Sequence, residues 1–386
     1  MYDIIIKKNL QTQEIMILEN GLLTEHIMQN EENENIEGNI YLGIVKNVLP
    51  GMQAAFVDIG ENKNTFIHLK DILPKVDETI ENKRKENKNI NEIVRNGMNL
   101  LVQVKRSESN KKGAKVSTHI SLSGKYVVIM PEVNFVTVSQ KIENAAEAEK
   151  LKNMVKSLLP KNMGAIIRTA AVGATEKELK DDIDDLNNKW NIILKKSKAQ
   201  NNAPKLLFKG NDAIDRVLYD FAGKKMQCIT VNDQTLYSDI IKRTEKFKNV
   251  EVKYDENAGN SFDITKQLED IENRKIWLKC GGFITIDKTE ALTAIDVNSG
   301  KYIGNKDLEQ TVYTVNKEAT IEIAKQLKLR DIGGIVIIDY IDMYDKKDKD
   351  DIEQLLKEEL KKDRSKTQIL GFTKLNLLEM TRKHIN

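Results

Sequence analysis

The feature that most constrains how this chain folds is a pair of short apolar runs that each end in carboxylates. The first reads Leu292-Thr-Ala-Ile-Asp296-Val-Asn298-Ser-Gly300, the second Ile335-Val-Ile-Ile-Asp339-Tyr-Ile-Asp342. Short aliphatic runs bounded by polar turn residues predict strands. The second run is uninterrupted from Ile335 to Ile338, which predicts a strand buried on both faces. Side chains at i and i+2 of a strand share a face, so Asp296 and Asn298 point at one spot. Asp339 ends its own strand, at the edge where open α/β sheets collect ligands. Two carboxylates and an amide oxygen are hard donors that suit Mg²⁺, or Mn²⁺, which bind through one or two carboxylates plus a substrate phosphate. An ion held there activates water and neutralises charge at that phosphate. The same residues also read as turn caps, because Asp and Asn are common where strands end.

An α/β unit surrounds these runs. Phe283–Ile286 and Ala291–Val297 predict a hairpin. Leu308, Val312, Val315, Ala319, Ile323 and Leu327 recur at helical spacing, a second helix is predicted over 347–361, and Gln368–Phe372 is a further strand. The region before it, 38–122, is rich in strand signals: Ile40–Val48, Gln53–Ile59, Thr65–Leu69 and Leu100–Lys105, punctuated by Gly51 and Gly60. Several short strands in one small region predict a closed barrel such as an OB fold, with 75–96 as a long loop. Beyond it come strands at Tyr126–Met130, Phe135–Val138 and Ala165–Thr169 and a helix near 144–158. Glu176–Lys198 predicts a helix with Leu179, Ile183, Leu186, Trp190 and Ile193 on one face. Residues 1–36 predict only a hairpin, Asp3–Lys7 with Gln13–Leu18, too small to stand as a domain.

Charge narrows the partners. Net charge is +2, yet Gly38–Lys125 holds 15 lysines and arginines against 9 acidic residues, the local excess a phosphate backbone responds to. A solvated loop surface has the same composition. Two cysteines, Cys228 and Cys280, are too few for a disulfide framework or a four-ligand zinc site. No apolar stretch is long enough to span a bilayer, and the start, Met-Tyr-Asp-Ile-Ile-Ile, lacks the basic flank of a secretory signal, so a cytoplasmic setting is expected.

The residues around the carboxylates carry a resemblance. Thr289-Glu-Ala-Leu-Thr-Ala-Ile-Asp296-Val-Asn298-Ser-Gly and Leu329-Arg-Asp-Ile-Gly-Gly-Ile-Val-Ile-Ile-Asp339-Tyr-Ile-Asp342-Met resemble the metal-site segments of the ribonuclease E/G family. Gly38-Asn-Ile-Tyr-Leu-Gly through Ala54-Ala-Phe56-Val-Asp-Ile-Gly60 resembles that family's RNA-binding barrel. Ala165-Ile-Ile-Arg168-Thr169-Ala resembles its 5′-end sensor, and Leu377-Leu-Glu-Met-Thr-Arg382 the close of its catalytic region. The order of the motifs matches over essentially the whole chain.

The resemblance implies an α/β and β multidomain fold. Residues 1–36 with 215–278 would form a ribonuclease H-like subdomain, 37–122 an OB-fold RNA-binding domain, 123–214 a 5′-sensor subdomain, and 279–386 a deoxyribonuclease I-like catalytic subdomain. Asp296 and Asp339 would bind the catalytic Mg²⁺, with Asn298 orienting the site. Phe56, Phe66 and Lys112 would contact RNA, which suits rings that stack on bases and a lysine that meets phosphate. For each phenylalanine, core packing is the competing expectation. Gly124, Val128, Arg168 and Thr169 would hold a 5′-monophosphate, an arginine forking onto its oxygens. The implied activity is Mg²⁺-dependent cleavage of single-stranded, AU-rich RNA, leaving 5′-phosphate and 3′-hydroxyl ends, in messenger RNA decay and in ribosomal and transfer RNA processing.

Two departures stand out. The family's Cys-Pro-x-Cys zinc motif is not in this sequence, so structural zinc is not expected and a homodimer, if formed, is not expected to be zinc-linked. Gln140-Lys141 replaces an arginine-rich stretch near the sensor, which predicts weaker sensing. An RNA-binding or ribosome-maturation factor that does not cut is the runner-up, and intact Asp296, Asn298 and Asp339 argue against it. A deoxyribonuclease is suggested only by the implied catalytic fold, a weak warrant for substrate.

Overall fold

A computed structural model of the chain describes residues 1–30, 35–72, 89–107, 113–199, 203–222, 226–247, 250–300 and 308–384. Two compact units divide it: residues 33–224 form one, and residues 1–32 with 225–386 form the other.

The chain opens with three strands rather than a hairpin: β1 (Tyr2–Lys8), β2 (Thr12–Glu19) and β3 (Leu22–Asn30). Asn20 and Gly21, both at positive φ, make the β2–β3 turn. That is the two-residue hairpin connection whose backbone twist matches its strands. A slip between Ile17 and Leu18 shifts the register of this pair.

The chain then builds the 33–224 unit. Strands β4 (Ile40–Leu49), β5 (Ala54–Asp58), β6 (Thr65–His68), β7 (Asn99–Arg106) and β8 (Lys115–Ser117) pair in the order β4-β5-β6-β8-β7. A further β4–β7 pairing closes the ring, and β6 runs parallel to β8. This closed five-strand barrel is of the OB type. Its interior is Val45, Ala55, Val57, Ile67, Val102, Val104 and Val116, the inward half of each alternating strand. One helical turn, α1 (Ile90–Ile93), plugs Ile90 into that core. The predicted strand at Gln53 starts one residue later, because Gln53 is left-handed and ends a 3₁₀ turn.

Next comes a four-stranded sheet in the order β11-β12-β10-β9, from β9 (Leu122–Ser123), β10 (Val127–Pro131), β11 (Val136–Val138) and β12 (Met163–Ile167). Helices α2 (Ala145–Leu158) and α3 (Glu176–Lys198) pack on it. The α3 start is fixed by a capping box, Thr175 and Glu178 each bonding the other's backbone N–H. Such a cap contributes about 1 kcal/mol. The apolar stripe Leu179, Ile183, Leu186, Trp190 and Ile193 is buried as its spacing predicts. The predicted strand over Ala165–Thr169 ends at Ile167, and Thr169–Ala171 is a 3₁₀ turn. β13 (Lys205–Phe208) returns to pair with β4, and α4 (Ala213–Phe221) follows.

The chain then rejoins the first unit. β14 (Met226–Val231) lies parallel to β1, and β15 (Glu251–Tyr254) parallel to β14, giving the sheet order β15-β14-β1-β2-β3. Helices α5 (Gln234–Thr244) and α6 (Phe262–Glu272) accompany it. A second sheet has the order β16-β17-β18-β19-β21-β20. Its strands are β16 (Lys275–Trp277), β17 (Phe283–Lys288), β18 (Leu292–Asn298), β19 (Gly334–Asp339), β20 (Thr367–Phe372) and β21 (Leu377–Arg382). Helices α7 (Leu308–Leu329) and α8 (Lys346–Lys361) cover one of its faces.

The expectation that β19 is buried on both faces fails. Val336 and Ile338 are fully buried, while Ile335 is 49% exposed. Both helices lie on one side, so β18 and β19 alternate, and the second face is open where the carboxylates emerge. Among the described residues no helix is long and apolar enough to cross a membrane.

Candidate active site

Asp296 and Asp339 occupy the open face of this second sheet. On β18, Thr293, Ile295 and Val297 turn to the core, which leaves Ala294, Asp296 and Asn298 on the other side. β19 runs parallel beside it with Asp296 opposite Asp339. Two strands that are distant in sequence thus set the backbones of these two residues about 5 Å apart across the sheet, with both side chains on one face. Asn298 donates from Nδ2 to Asp296 Oδ2 at 2.6 Å, which fixes that carboxylate's rotamer. Partial removal from water, with the Asp296 and Asp342 charges added, pushes the Asp339 carboxyl above its usual range.

The strand end that carries Asp339 is held from below. Asn316 on α7 is fully buried, donates to the Ile341 carbonyl at 2.8 Å and accepts from the Ile341 N–H at 3.1 Å. Thr320, one turn on, shares a 2.9 Å hydrogen bond with the Tyr340 hydroxyl. Sequence reasoning missed both. Their signal is a polar residue inside an apolar helix stripe, at the spacing that faces the core. Among the described residues no three His, Cys, Asp or Glu side chains converge as a metal cluster. The donor set is two carboxylates with an adjoining amide. That suits a hard cation that keeps most of its waters and does not suit zinc, which takes three or four protein ligands.

Beside the carboxylates lies an aromatic group that sequence reasoning also missed. Trp277 pairs with Phe283 across β16 and β17, and Phe283 pairs with Asn298 across β17 and β18. The two rings meet edge to face at 5.3 Å, and Lys275 Nζ sits 4.1 Å from the Trp277 ring and 3.6 Å from the Phe283 ring. The visible signal was the i, i+2 spacing of Lys275 and Trp277 in a short strand. Gly300 closes the row at φ +59, where an added Cβ would meet the Gly281 carbonyl at 2.5 Å and the Phe283 ring at 3.2 Å. Cys280 is tied in by its own N–H, which donates to Glu318 at 2.8 Å, and burial pushes its thiol up.

The remaining predicted residues lie in the 33–224 unit. Phe56 and Phe66 face each other across β5 and β6, 6.1 Å apart and edge to face. Both are half-buried, and neither joins the barrel core to which their neighbours Ala55, Val57 and Ile67 belong. The core-packing expectation therefore fails for both, and the rings lie on the barrel's outer side. Lys112 lies outside the described residues.

Gly124, Val128, Arg168 and Thr169 gather at one end of the four-stranded sheet. Gly124 donates to the Val127 carbonyl at 2.8 Å in the β9–β10 turn, and Arg168 donates from its backbone to Tyr126 at 2.9 Å. Val128 lies on the face opposite the buried Val127 and Ile129. Carboxylates already hold this end. Asp182 of α3 accepts from the N–H groups of Lys125, Tyr126 and Val127 at 3.0, 2.8 and 3.1 Å. A Cβ at Gly124 would come within 2.6 Å of the Asp182 carboxylate, so a larger residue here would push that carboxylate off its N–H donors. The Arg168 guanidinium is ion-paired with Asp220 of α4.

Comparison with known proteins places the sequence in a family. The Ribonuclease E/G family profile matches residues 121–385. Ribonuclease G of Escherichia coli (strain K12) is 39% identical over 378 residues, 96% of this chain and 77% of the relative. Ribonuclease G of Haemophilus influenzae is 38% identical over the same shares. Ribonuclease E of Nostoc is 34% identical over 90% of this chain and 51% of its own length. The chain belongs to the ribonuclease E/G family.

Proposed function

We propose that this protein is an endoribonuclease that hydrolyses single-stranded RNA with the help of a divalent cation, Mg²⁺ or Mn²⁺, held by Asp296 and Asp339. The observation that carries the reading is the register of β18 and β19. It sets these two carboxylates side by side on an open sheet face, in a chain whose relatives are named ribonucleases. Bound there, the ion supplies a Lewis acid that lowers the pKa of water and offsets charge on the phosphate. Asn298 keeps the Asp296 carboxylate aimed, and Asn316 holds the end of β19 so that Asp339 stays opposite it. Pre-positioning of this kind removes the need to order these groups during the reaction.

The rest of the reading follows the chemistry of each group. Phe56 and Phe66 stack bases on the outside of the barrel, and Lys112 meets phosphate. Gly124, Val128, Arg168 and Thr169 take a 5′-monophosphate, for which Arg168 must exchange the Asp220 carboxylate for phosphate oxygens. The substrates are AU-rich, unpaired segments of messenger RNA and precursors of ribosomal and transfer RNA in the cytoplasm. The products carry 5′-phosphate and 3′-hydroxyl ends.

The test is cleavage of a short AU-rich RNA bearing a 5′-monophosphate or a 5′-hydroxyl, with Mg²⁺ or with EDTA. Wild type should cut only with the metal, and faster on the monophosphate. Asp339→Asn and Asp296→Asn should lose about 100-fold or more in rate while still binding RNA. An Asp339→Asn protein that cuts at the wild-type rate overturns the site, and equal cutting of a DNA oligomer overturns the substrate class.

A further inference from the structure

We infer that Trp277, Phe283 and Lys275 form a nucleobase-stacking subsite next to the Asp296–Asp339 pair, which takes one base of the RNA strand close to the scissile phosphate. The inference rests on the nuclease reading above. Trp277 is 55% exposed on the same open face as Asp296, whereas the chain's other tryptophan, Trp190, is buried. Burying an indole normally stabilises a fold by a large apolar area, so one left outward beside a pair of carboxylates is unusual.

The register sets the distances. Trp277, Phe283 and Asn298 form one cross-strand row, and Lys275, Thr285, Asp296 and Asp339 the next. Adjacent strands are about 4.8 Å apart, so Trp277 lies about 10 Å from Asn298 along the sheet. That matches the reach from a phosphate held at the carboxylates to a base within about one nucleotide of it. The group also has the chemistry for such a base. Aromatic faces stack any base, and the Lys275 ammonium, which lies over both rings, leaves that position to meet the linking phosphate when a base stacks there. Gly300 leaves room for the Phe283 ring, since an added Cβ there would meet it at 3.2 Å. A strand lying across this face would meet the aromatic pair on one side of Asp296 and the exposed Ile335 four residues back along β19 from Asp339. The carboxylates alone would repel RNA, and Lys275 supplies the compensating positive charge at their edge.

The test measures binding in EDTA, so that cleavage does not intrude. The probe is a single-stranded 5′-monophosphorylated oligoribonucleotide of A and U, intact or with one abasic position moved along it. Trp277→Ala should weaken intact RNA roughly 5- to 100-fold, Trp277→Phe should recover most of that, and wild-type tryptophan emission should quench on binding. One abasic position should weaken wild type by a similar factor and Trp277→Ala no further. Lys275→Met should flatten the slope of log affinity against log salt by about 0.7. Thermal melts of each variant confirm folding. Unchanged affinity of Trp277→Ala, or an equal loss at every abasic position, overturns the subsite. So does a change in the free protein's sedimentation with RNA affinity unchanged, which would make this face a contact between copies of the chain. Wild type that binds RNA without cutting in Mg²⁺ defeats the nuclease reading, while the abasic pattern and the quench still decide the subsite. Wild type that cuts, with Trp277→Ala equal in kcat/KM, defeats the subsite alone, and absence of RNA binding by folded wild type defeats both.

Discussion

Asn316 and Arg382 show how single buried polar residues hold the two ends of β19 without touching a substrate. Asn316 satisfies both backbone groups of Ile341, so Asn316→Ala leaves a buried donor and acceptor unpaired. The expected loss is about 2–3 kcal/mol by urea denaturation, with a fall in kcat larger than any rise in KM, because Asp339 loses its support rather than its chemistry. Arg382, which closes the β21 motif, is buried and donates to Asp363 at 2.7 Å, to Asp331 at 2.8 Å and to the Ile332 carbonyl at 2.9 Å. Arg382→Met should cost about 3–5 kcal/mol, since it strips the guanidinium from a buried carboxylate. The double variant Arg382→Met/Asp363→Asn should lose less than the single one, and a denaturation midpoint at or below that of Arg382→Met would refute this account.

At the scale of elements, charged side chains tie helices to turns. Asp182 ties α3 to the β9–β10 turn through three backbone N–H groups, so Asp182→Ala should cost about 3 kcal/mol and Asp182→Asn less, as read from thermal melts. Asp233 caps α5. The Thr235 hydroxyl and the Leu236 N–H hold its carboxyl below the usual range. A lowered folded pKa means its stabilisation is complete above the unfolded value of about 3.9 and is lost as pH falls through the folded one. Asp233→Ala should therefore be about 1 kcal/mol less stable than wild type at pH 7, with the gap closing at more acid pH, as urea titrations across that range would show. The helices were legible as elements because an apolar stripe such as that of α3 is a local property. The third strand, β3, was also written locally, in Asn20-Gly21, and was missed because the polar residues that follow outweighed the turn signal.

At the scale of the whole molecule, β1 is central. It lies between β2 and β14, so the unit of residues 1–32 and 225–386 needs both segments. Met16, Leu18 and Leu23 from the first segment bury against Ile264 and Leu329 from the second, and Glu25 pairs with Arg364 at 2.6 Å. A protein lacking residues 1–30 should lose the cooperative unfolding of that unit. Residues 35–222 alone should still fold with a closed barrel, which circular dichroism melts and amide exchange would read. Loss of all cooperative structure in the 35–222 fragment would show that the barrel depends on the other unit.

The sequence by itself determined the strands that bear Asp296, Asn298 and Asp339, the alternation that puts Asp296 and Asn298 on one face, four of the five barrel strands (β8 was missed), and the family. These rest on local patterns of period two or 3.6 and on long motifs in order. Tertiary structure decided the rest. Which strand lies beside β18 sets the Asp296–Asp339 pairing, and no local pattern encodes a partner that is 43 residues away. Helices α7 and α8 on a single face left β19 half-covered, against its apolar sequence, because burial depends on what the sheet packs against and not on the strand's own composition. The same one-sided cover leaves Trp277 beside the carboxylates, a neighbourhood created only by strand order.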